Sequence, residues 1–247
     1  MEYNAILILI AGAACGGFVN GMAGFGTGLF ALGFWLQIMP PVQAVAISVV
    51  VASITGLQGL WVVRSAILDQ PRRLLRFLLP ALVGIPLGAS ALVYVEPHAL
   101  KLLIASFMIL YGLFFLARRA LPKFESPTPL TDNIIGFVSG ILGGLAGLSG
   151  ALPVMWCTLR PWSRHATRAV LQPFNLTVLA LTALYLAWQG TYTAETLRAL
   201  GIALLASLSF AQLGLFVFHR ISDTQFRWLL IGLMFCSGAI LMLRELT

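Results

Sequence analysis

Hydrophobic runs fill almost the whole chain. Apolar stretches at 3–37, 42–63, 74–95, 98–117, 134–157, 167–189, 197–218 and 225–243 are separated by short polar loops. About 20 apolar residues in a helix cross the roughly 30 Å hydrocarbon core of a bilayer, and most of the runs are close to that length. The first is not, because its 35 residues would make a straight helix about 52 Å long. It must break. The break is expected at Gly21–Gly28, where four glycines in eight residues each weaken a helix by roughly 1 kcal/mol relative to alanine. The run 134–157 is too short for two crossings and carries Gly140, Gly143, Gly144, Gly147 and Gly150 near its middle. A re-entrant helical hairpin fits both segments.

The longest polar stretch, 118–133, contains Arg118, Arg119, Pro122, Lys123, Glu125, Pro127 and Pro129 and divides the chain into similar halves. Gly17-Phe18-Val19-Asn20-Gly21 recurs as Gly136-Phe137-Val138-Ser139-Gly140. Gly21-Met22-Ala23-Gly24-Phe25-Gly26-Thr27-Gly28 is echoed by Gly144-Leu145-Ala146-Gly147-Leu148-Ser149-Gly150. Each half continues as three ordinary apolar segments, so the expected organisation is a first membrane repeat at 1–120, a cytoplasmic linker at 121–133 and a second repeat at 134–247, all in one transmembrane domain. With a hairpin opening each half, the loops at 64–76, 118–133, 158–168 and 219–227 are cytoplasmic and hold 12 of the 15 Lys and Arg, leaving Lys101, Arg198 and Arg244 outside. Simple alternation of eight spans divides them 9 to 6, a weaker cytoplasmic excess than cytoplasmic loops normally carry. Both termini are then outside. Three net crossings per half make the second repeat inverted relative to the first, an architecture of transporters.

Composition narrows the class further. Of 247 residues, 60% are apolar and 9% charged, with a mean hydropathy of +0.95, whereas a soluble domain is about a quarter charged. The fold class is therefore all-α and integral to the membrane, with no room for a soluble domain. The net charge of +7 resides in loops, where it sets orientation and points to no nucleic acid. Cys15, Cys157 and Cys236 are far apart, with no CxxC spacing and no adjacent His, so they suggest neither a disulfide framework nor a metal site, and no cofactor is implied. Met1-Glu2-Tyr3-Asn4 lacks a basic n-region, and the first apolar run is expected to be retained.

Non-helical backbone at membrane depth is tolerated only where protein or a wet cavity satisfies it, so the two glycine breaks should face each other near the midplane. A half-helix starting at such a break offers free N–H groups and a positive dipole end to an anion. The candidate binding residues are Asn20, Gly24, Gly26, Thr27, Gly147, Ser149 and Gly150, joined by Arg168, Gln172 and Asn175, with Ser139 one turn before the second break. Ser48, Ser53, Thr55 and Gln58 are the polar side chains of 42–63. Plainer roles exist for most of these. The spacings Gly17/Gly21, Gly24/Gly28 and Gly143/Gly147 suit close helix packing, Gln172 and Asn175 suit interhelical hydrogen bonds, and Arg168 suits an orientation signal. All eight acids lie in loops or at span ends, so no carboxylate within the spans is expected to bind a coupling cation.

The paired glycine runs, followed by Pro153 and by Arg168-Ala169-Val170, resemble the TauE/SafE sulfite exporter family of membrane permeases along the whole chain. The resemblance implies a multi-pass protein of the bacterial inner membrane. It also implies transport of sulfite or organosulfonates such as sulfoacetate, with some members serving other small organic anions. The residues themselves reach only as far as a small anion, the lipid bilayer and, from small-residue faces, a homodimer as partners. Competing readings have less support. Gly147-Leu148-Ser149-Gly150 matches the GxSG of a rhomboid-type serine protease, but His98, His165 and His219 lie in loops or at span ends, so an enzyme is not expected. A thiosulfate relay through Cys15 and Cys157 lacks equivalent repeat positions, and isolated cysteines in apolar helices are usually packing residues. A passive anion channel has the same residues as a carrier. For a carrier, the membrane potential alone favours exit of an anion, so the expected mode is electrogenic export by uniport, with alternating access about the hairpin tips and Arg168 drawing anions from the cytoplasm.

Overall fold

A computed structural model describes residues 3–69, 71–117, 124–126, 128–162 and 164–246, giving the backbone alone at 58–69, 164–165, 168, 218–219, 223–224, 226–227 and 230. The described residues are helical almost throughout: α1 (Tyr3–Ala23), α2 (Thr27–Trp35), α3 (Pro41–Asp69), α4 (Pro71–Ala91, continued by a 3-10 turn at Leu92–Tyr94), α5 (Pro97–Ala117), α6 (Pro129–Ala146), α7 (Ala151–Thr158), α8 (Arg164–Trp188), α9 (Ala194–Arg220) and α10 (Asp223–Leu246). Six of these helices are long and apolar enough to cross a membrane. The chain is a multi-pass membrane protein.

Both breaks form where glycine weakens the helix. Gly24 and Gly26 turn the chain between α1 and α2 with φ of 79° and 105°, and Gly147 ends α6 at φ 64°. These are left-handed values that cost a residue with a Cβ about 1–2 kcal/mol. At the second break the Gly147 and Leu148 N–H groups reach back to the carbonyls of Gly143 and Leu142 at 2.9 and 3.1 Å, and the left-handed Gly147 closes α6 with an αL cap. Each short helix then folds back on the longer one before it. Gly16 lies against Thr27 and Ala31, and Gly12 against Phe34 and Trp35. The Trp35 indole donates to the Leu9 carbonyl at 3.0 Å. In the second pair Gly143 faces Ser149, and the Trp156 indole donates to Asp132 at 2.8 Å. Both pairs are therefore antiparallel helical hairpins.

α6 begins at Pro129, five residues before the hydrophobic run and inside the 121–133 stretch expected to be a linker. Thr128 is the N-cap residue and Pro129 takes the first helical position, where its missing N–H costs nothing. Four helix pairs hold the bundle together: α1 on α9, α6 on α4, α3 on α8 and α5 on α10. The repeated glycines serve the first two pairs. A Cβ at Gly17 or Gly21 would enter the backbone of Ser207 or Ala211 on α9, and one at Gly136, Gly140 or Gly144 would enter that of Phe77, Ala81 or Ile85 on α4. Such contacts replace apolar burial, which drives nothing between helices in lipid, with close packing. We expect Gly140→Val to force α6 off α4 and to reduce the yield of folded, detergent-soluble protein severalfold by size-exclusion chromatography. A normal monodisperse peak would count against this packing role.

Polar residues collect at two ends. At one, Asp132 (3% exposed) meets Arg160 at 3.5 Å and Arg76 at 3.8 Å, while the Arg73 guanidinium lies 4.7 Å over Trp162. Residues from the loops 64–76, 118–133 and 158–168 thus gather together. The sequence places Asp132 at a span end as one of eight peripheral acids, yet it is buried, because α6 starts early and brings it under Arg160. At the other end Lys101 and His98 of α5 hold Glu245 of α10 at 2.9 and 3.1 Å, two residues beyond the run 225–243. Burial pushes the Glu245 carboxyl up, but hydrogen bonds and charge from Lys101 and His98 outweigh it and leave it below its ordinary 4.5. A lowered carboxyl contributes stability above that ordinary value and loses it as pH falls through the folded value. The melting temperature in detergent should therefore drop below about pH 4.5 less steeply in Glu245→Gln than in the parent. Identical slopes would show that the tie contributes nothing.

Candidate functional site

The two hairpin tips touch. A Cβ at Gly28, on the first turn of α2, would lie 2.9 Å from the Ala146 carbonyl oxygen and 3.1 Å from that of Gly147, while one at Gly150 would lie 3.3 Å from the Cβ of Phe25. Between the tips is a cavity of about 10 Å³ lined by Asn20, Phe25, Gly26, Thr27, Gly28, Leu29, Ala52, Gly147, Leu148, Gly150, Ala151, Asn175 and Leu179. That is room for about one water-sized group. The ring of Phe25 rests 5.6 Å from that of Tyr111 on α5, which seats the first tip.

The chemistry of this cavity comes from helix starts and amides. α2 begins after Gly26 and α7 after Gly150, and neither N-cap side chain closes the helix, since glycine has none. The first N–H groups of α2 have no intrahelical acceptor, and the dipole places partial positive charge there. α7 offers less. Its Ala151 N–H reaches the Leu148 carbonyl at a long 3.5 Å, and Pro153 has no N–H to give. Thr27, 1% exposed, has a hydroxyl with no partner among the described residues. An unpaired buried hydroxyl is costly, so this one is available to a ligand. Asn175 on α8 accepts from the Ser149 hydroxyl through Oδ1, which leaves its Nδ2 to donate. Asn20 on α1 does the reverse and gives Nδ2 to Thr55 of α3. Among the described residues no Lys, Arg, Asp or Glu lines the cavity.

Of the ten candidates read from the sequence, Asn20, Gly26, Thr27, Gly147, Gly150 and Asn175 line this cavity, while Gly24, Ser149 and Gln172 are not among its described lining residues. Gly24 is part of the first turn, and its N–H bonds to the Asn20 carbonyl at 2.7 Å. Ser149, fully buried, stands behind Asn175 and is hydrogen-bonded to that amide rather than to a base. Gln172 donates to the Gly56 carbonyl at 2.9 Å and ties α8 to α3, the interhelical role. Arg168 is on α8, with its side chain outside the described residues, as is that of Gln58. Ser53 bonds the Val49 carbonyl at 2.7 Å, and Ser48 and Ser139 are buried hydroxyls without a partner among the described residues. Sequence reasoning misses Phe25, Leu29, Ala52, Leu148, Ala151 and Leu179, apolar residues indistinguishable by type from the lipid-facing ones around them. Gly28 is legible, as the other half of a spacing with Gly24, but as a packing residue.

Compared with known proteins, the chain matches the model of one family, described as Sulfite exporter TauE/SafE, over residues 8–241. No curated protein and no solved structure matches it. Tip-to-tip glycine breaks, a cavity at helix starts with no charged side chain among its described residues, and a family match over nearly the whole length agree. The chain belongs to the TauE/SafE sulfite exporter family of membrane transporters for sulfur-containing anions.

Proposed function

We propose that this protein exports a small sulfur-containing anion, sulfite or an organosulfonate such as sulfoacetate, across the inner membrane of a bacterium, and binds it between the two hairpin tips. The observation that carries this reading is the convergence on one cavity of the uncapped start of α2, the unpartnered Thr27 hydroxyl and the Asn175 amide. N–H and O–H donors without a fixed countercharge suit an oxyanion that must also be released. A cavity the size of one water is smaller than any such anion, so the tips must part to admit it, and parting on one side at a time would make the protein an alternating-access carrier. The exchange of partners between halves supports an inverted repeat behind that motion: α1 packs on α9 as α6 packs on α4, while α3 pairs with α8 and α5 with α10.

Direction follows from charge. With the interior negative, each negative charge leaving gains about 2.3 kcal/mol per 100 mV, so export needs no coupling ion. Asp132 is the described buried carboxylate, and it is occupied by Arg160, Arg76 and Trp156 rather than free for a proton or sodium ion. We expect sulfite efflux from proteoliposomes at fixed pH to rise with an imposed inside-negative potassium-diffusion potential. Flux that ignores voltage and follows a proton gradient would refute uniport. A flux that neither saturates nor shows counterflow from preloaded vesicles would indicate a channel.

A further inference from the structure

The two asparagines of the cavity face their hydroxyl partners in opposite senses. Ser149 spends its proton on Asn175 Oδ1, so the polar atom Asn175 has left to offer is the donor Nδ2. Thr55 spends its proton on the Val51 carbonyl one helical turn back, at 2.8 Å. It has only lone pairs left for Asn20, which must answer with Nδ2. The atom that Asn20 then leaves for the cavity is the carbonyl oxygen Oδ1, an acceptor. Asn20 is 5% exposed, so an acceptor facing an anion there, with nothing to accept from, loses its hydration without return. Around it the start of α2 and the Asn175 Nδ2 can only donate, while the Thr27 hydroxyl can donate or accept. A site of several donors and one fixed acceptor fits an anion that itself carries one hydrogen-bond donor.

Resting on the binding site proposed above, we infer that the anion this protein is built to carry bears a hydroxyl beside its charged oxygens, read by Asn20 Oδ1, and that Thr55 is the positioning residue that fixes this preference by holding the Asn20 amide. Hydrogensulfite and short hydroxysulfonates satisfy the pattern. An ammonium group does not, because among the described residues no carboxylate lines the cavity to pair with a desolvated cation. Thr55 acts only through Asn20 and does not itself line the cavity.

Three sulfonates of nearly equal size separate these cases: 2-hydroxyethanesulfonate, propane-1-sulfonate and 2-aminoethanesulfonate, which end in OH, CH3 and NH3+. Their affinities for the full-length protein in detergent, measured by isothermal titration calorimetry at one pH, should favour the hydroxyl compound by about tenfold or more over each of the others, the usual consequence of leaving a buried acceptor unmet. Thr55→Val frees the Asn20 amide to turn and should reduce that ratio to about twofold or less, while Thr55→Ser keeps the hydroxyl and the ratio. Equal binding of the hydroxyl and methyl compounds by the parent protein, or tightest binding of the amino compound, overturns the inference while leaving an anion site in place. A full preference retained in a folded Thr55→Val variant overturns the role of Thr55. If none of the three binds and sulfite does not either, the binding site itself is wrong, and this inference falls with it.

Discussion

Gly28→Val should cut sulfite efflux severely while the protein still inserts and runs as a monodisperse species. Gly28 is on the first turn of α2, where it abuts the end of α6. A Cβ there meets the carbonyl oxygens of Ala146 and Gly147 at 2.9 and 3.1 Å, and these are backbone atoms that no rotamer change can move aside. A branched side chain therefore wedges the tips apart at the wall of the cavity, and overpacking of this kind costs roughly 1–3 kcal/mol. Spread over a step that must open and close the same contact, that is a loss of about fivefold to more than a hundredfold in flux. Gly150→Val, whose Cβ would lie 3.3 Å from Asn175 Oδ1 and from the Cβ of Phe25, should behave alike, although its milder contact leaves the smaller defect. Gly26→Val is a less clean variant, since φ of +105° adds backbone strain to the steric effect. The measurement is efflux from vesicles normalised to inserted protein. Near-normal flux through both Gly28→Val and Gly150→Val would remove the tips from the transport path.

The tips are visible in the sequence and the cavity wall is not, for a physical reason. Gly24, Gly26 and Gly147 sit where the backbone takes left-handed φ. A cluster of helix-weakening residues inside an apolar run, one too long for a single span and the other too short for two, marks a break in the helix. The doubling of the pattern adds that the two breaks belong together, and Gly28 against Gly147 bears out the contact. Side-chain direction is another matter. Gly17, Gly21, Gly136 and Gly140 read as part of the same motif, yet they serve the α1–α9 and α6–α4 crossings, and only the neighbour's position distinguishes a glycine that admits a helix from one that lines a cavity. Residue type and position along the chain put Ser149 and Gln172 in the site. The structure turns each to a protein partner, Asn175 and the Gly56 carbonyl, because a buried hydroxyl or amide takes the nearest partner it can reach. Leu148, Leu179 and Ala52 do not stand out among so many apolar residues. The start of α6 is hidden for a related reason. Hydropathy discounts Asp132, and what makes its burial tolerable, Arg160, is 28 residues further on and across a hairpin.

That pairing supports the second large effect, on stability rather than flux. Arg160, 6% exposed, donates to the Phe124 and Ser126 carbonyls at 3.1 and 2.5 Å and to the Thr128 hydroxyl. It also lies 3.5 Å from Asp132 and 5.1 Å over the Trp156 ring. One guanidinium thus joins the polar segment before α6, the first turn of that helix and the end of α7. Arg160→Met removes every one of these donors and leaves the Asp132 carboxylate with the indole of Trp156 and with Arg76, which is 39% exposed and 3.8 Å away. Breaking a buried pair from one side costs about 3–5 kcal/mol, which for a chain of this size corresponds to roughly 10 °C or more in melting temperature. Lysine at 160 keeps the charge but presents one compact group where a planar fork reaches three acceptors, so Arg160→Lys should lie between the two. Asp132→Asn added to Arg160→Met should cost less than the two single losses combined, because the stranded charge is gone. None of these residues lines the cavity, so whatever folded protein survives should still bind anion with unchanged affinity. Melting of Arg160→Met within a degree or two of the parent would show that the cluster merely gathers charges at one end of the bundle. Weakened anion binding in the surviving folded protein would instead place Arg160 on the substrate's path.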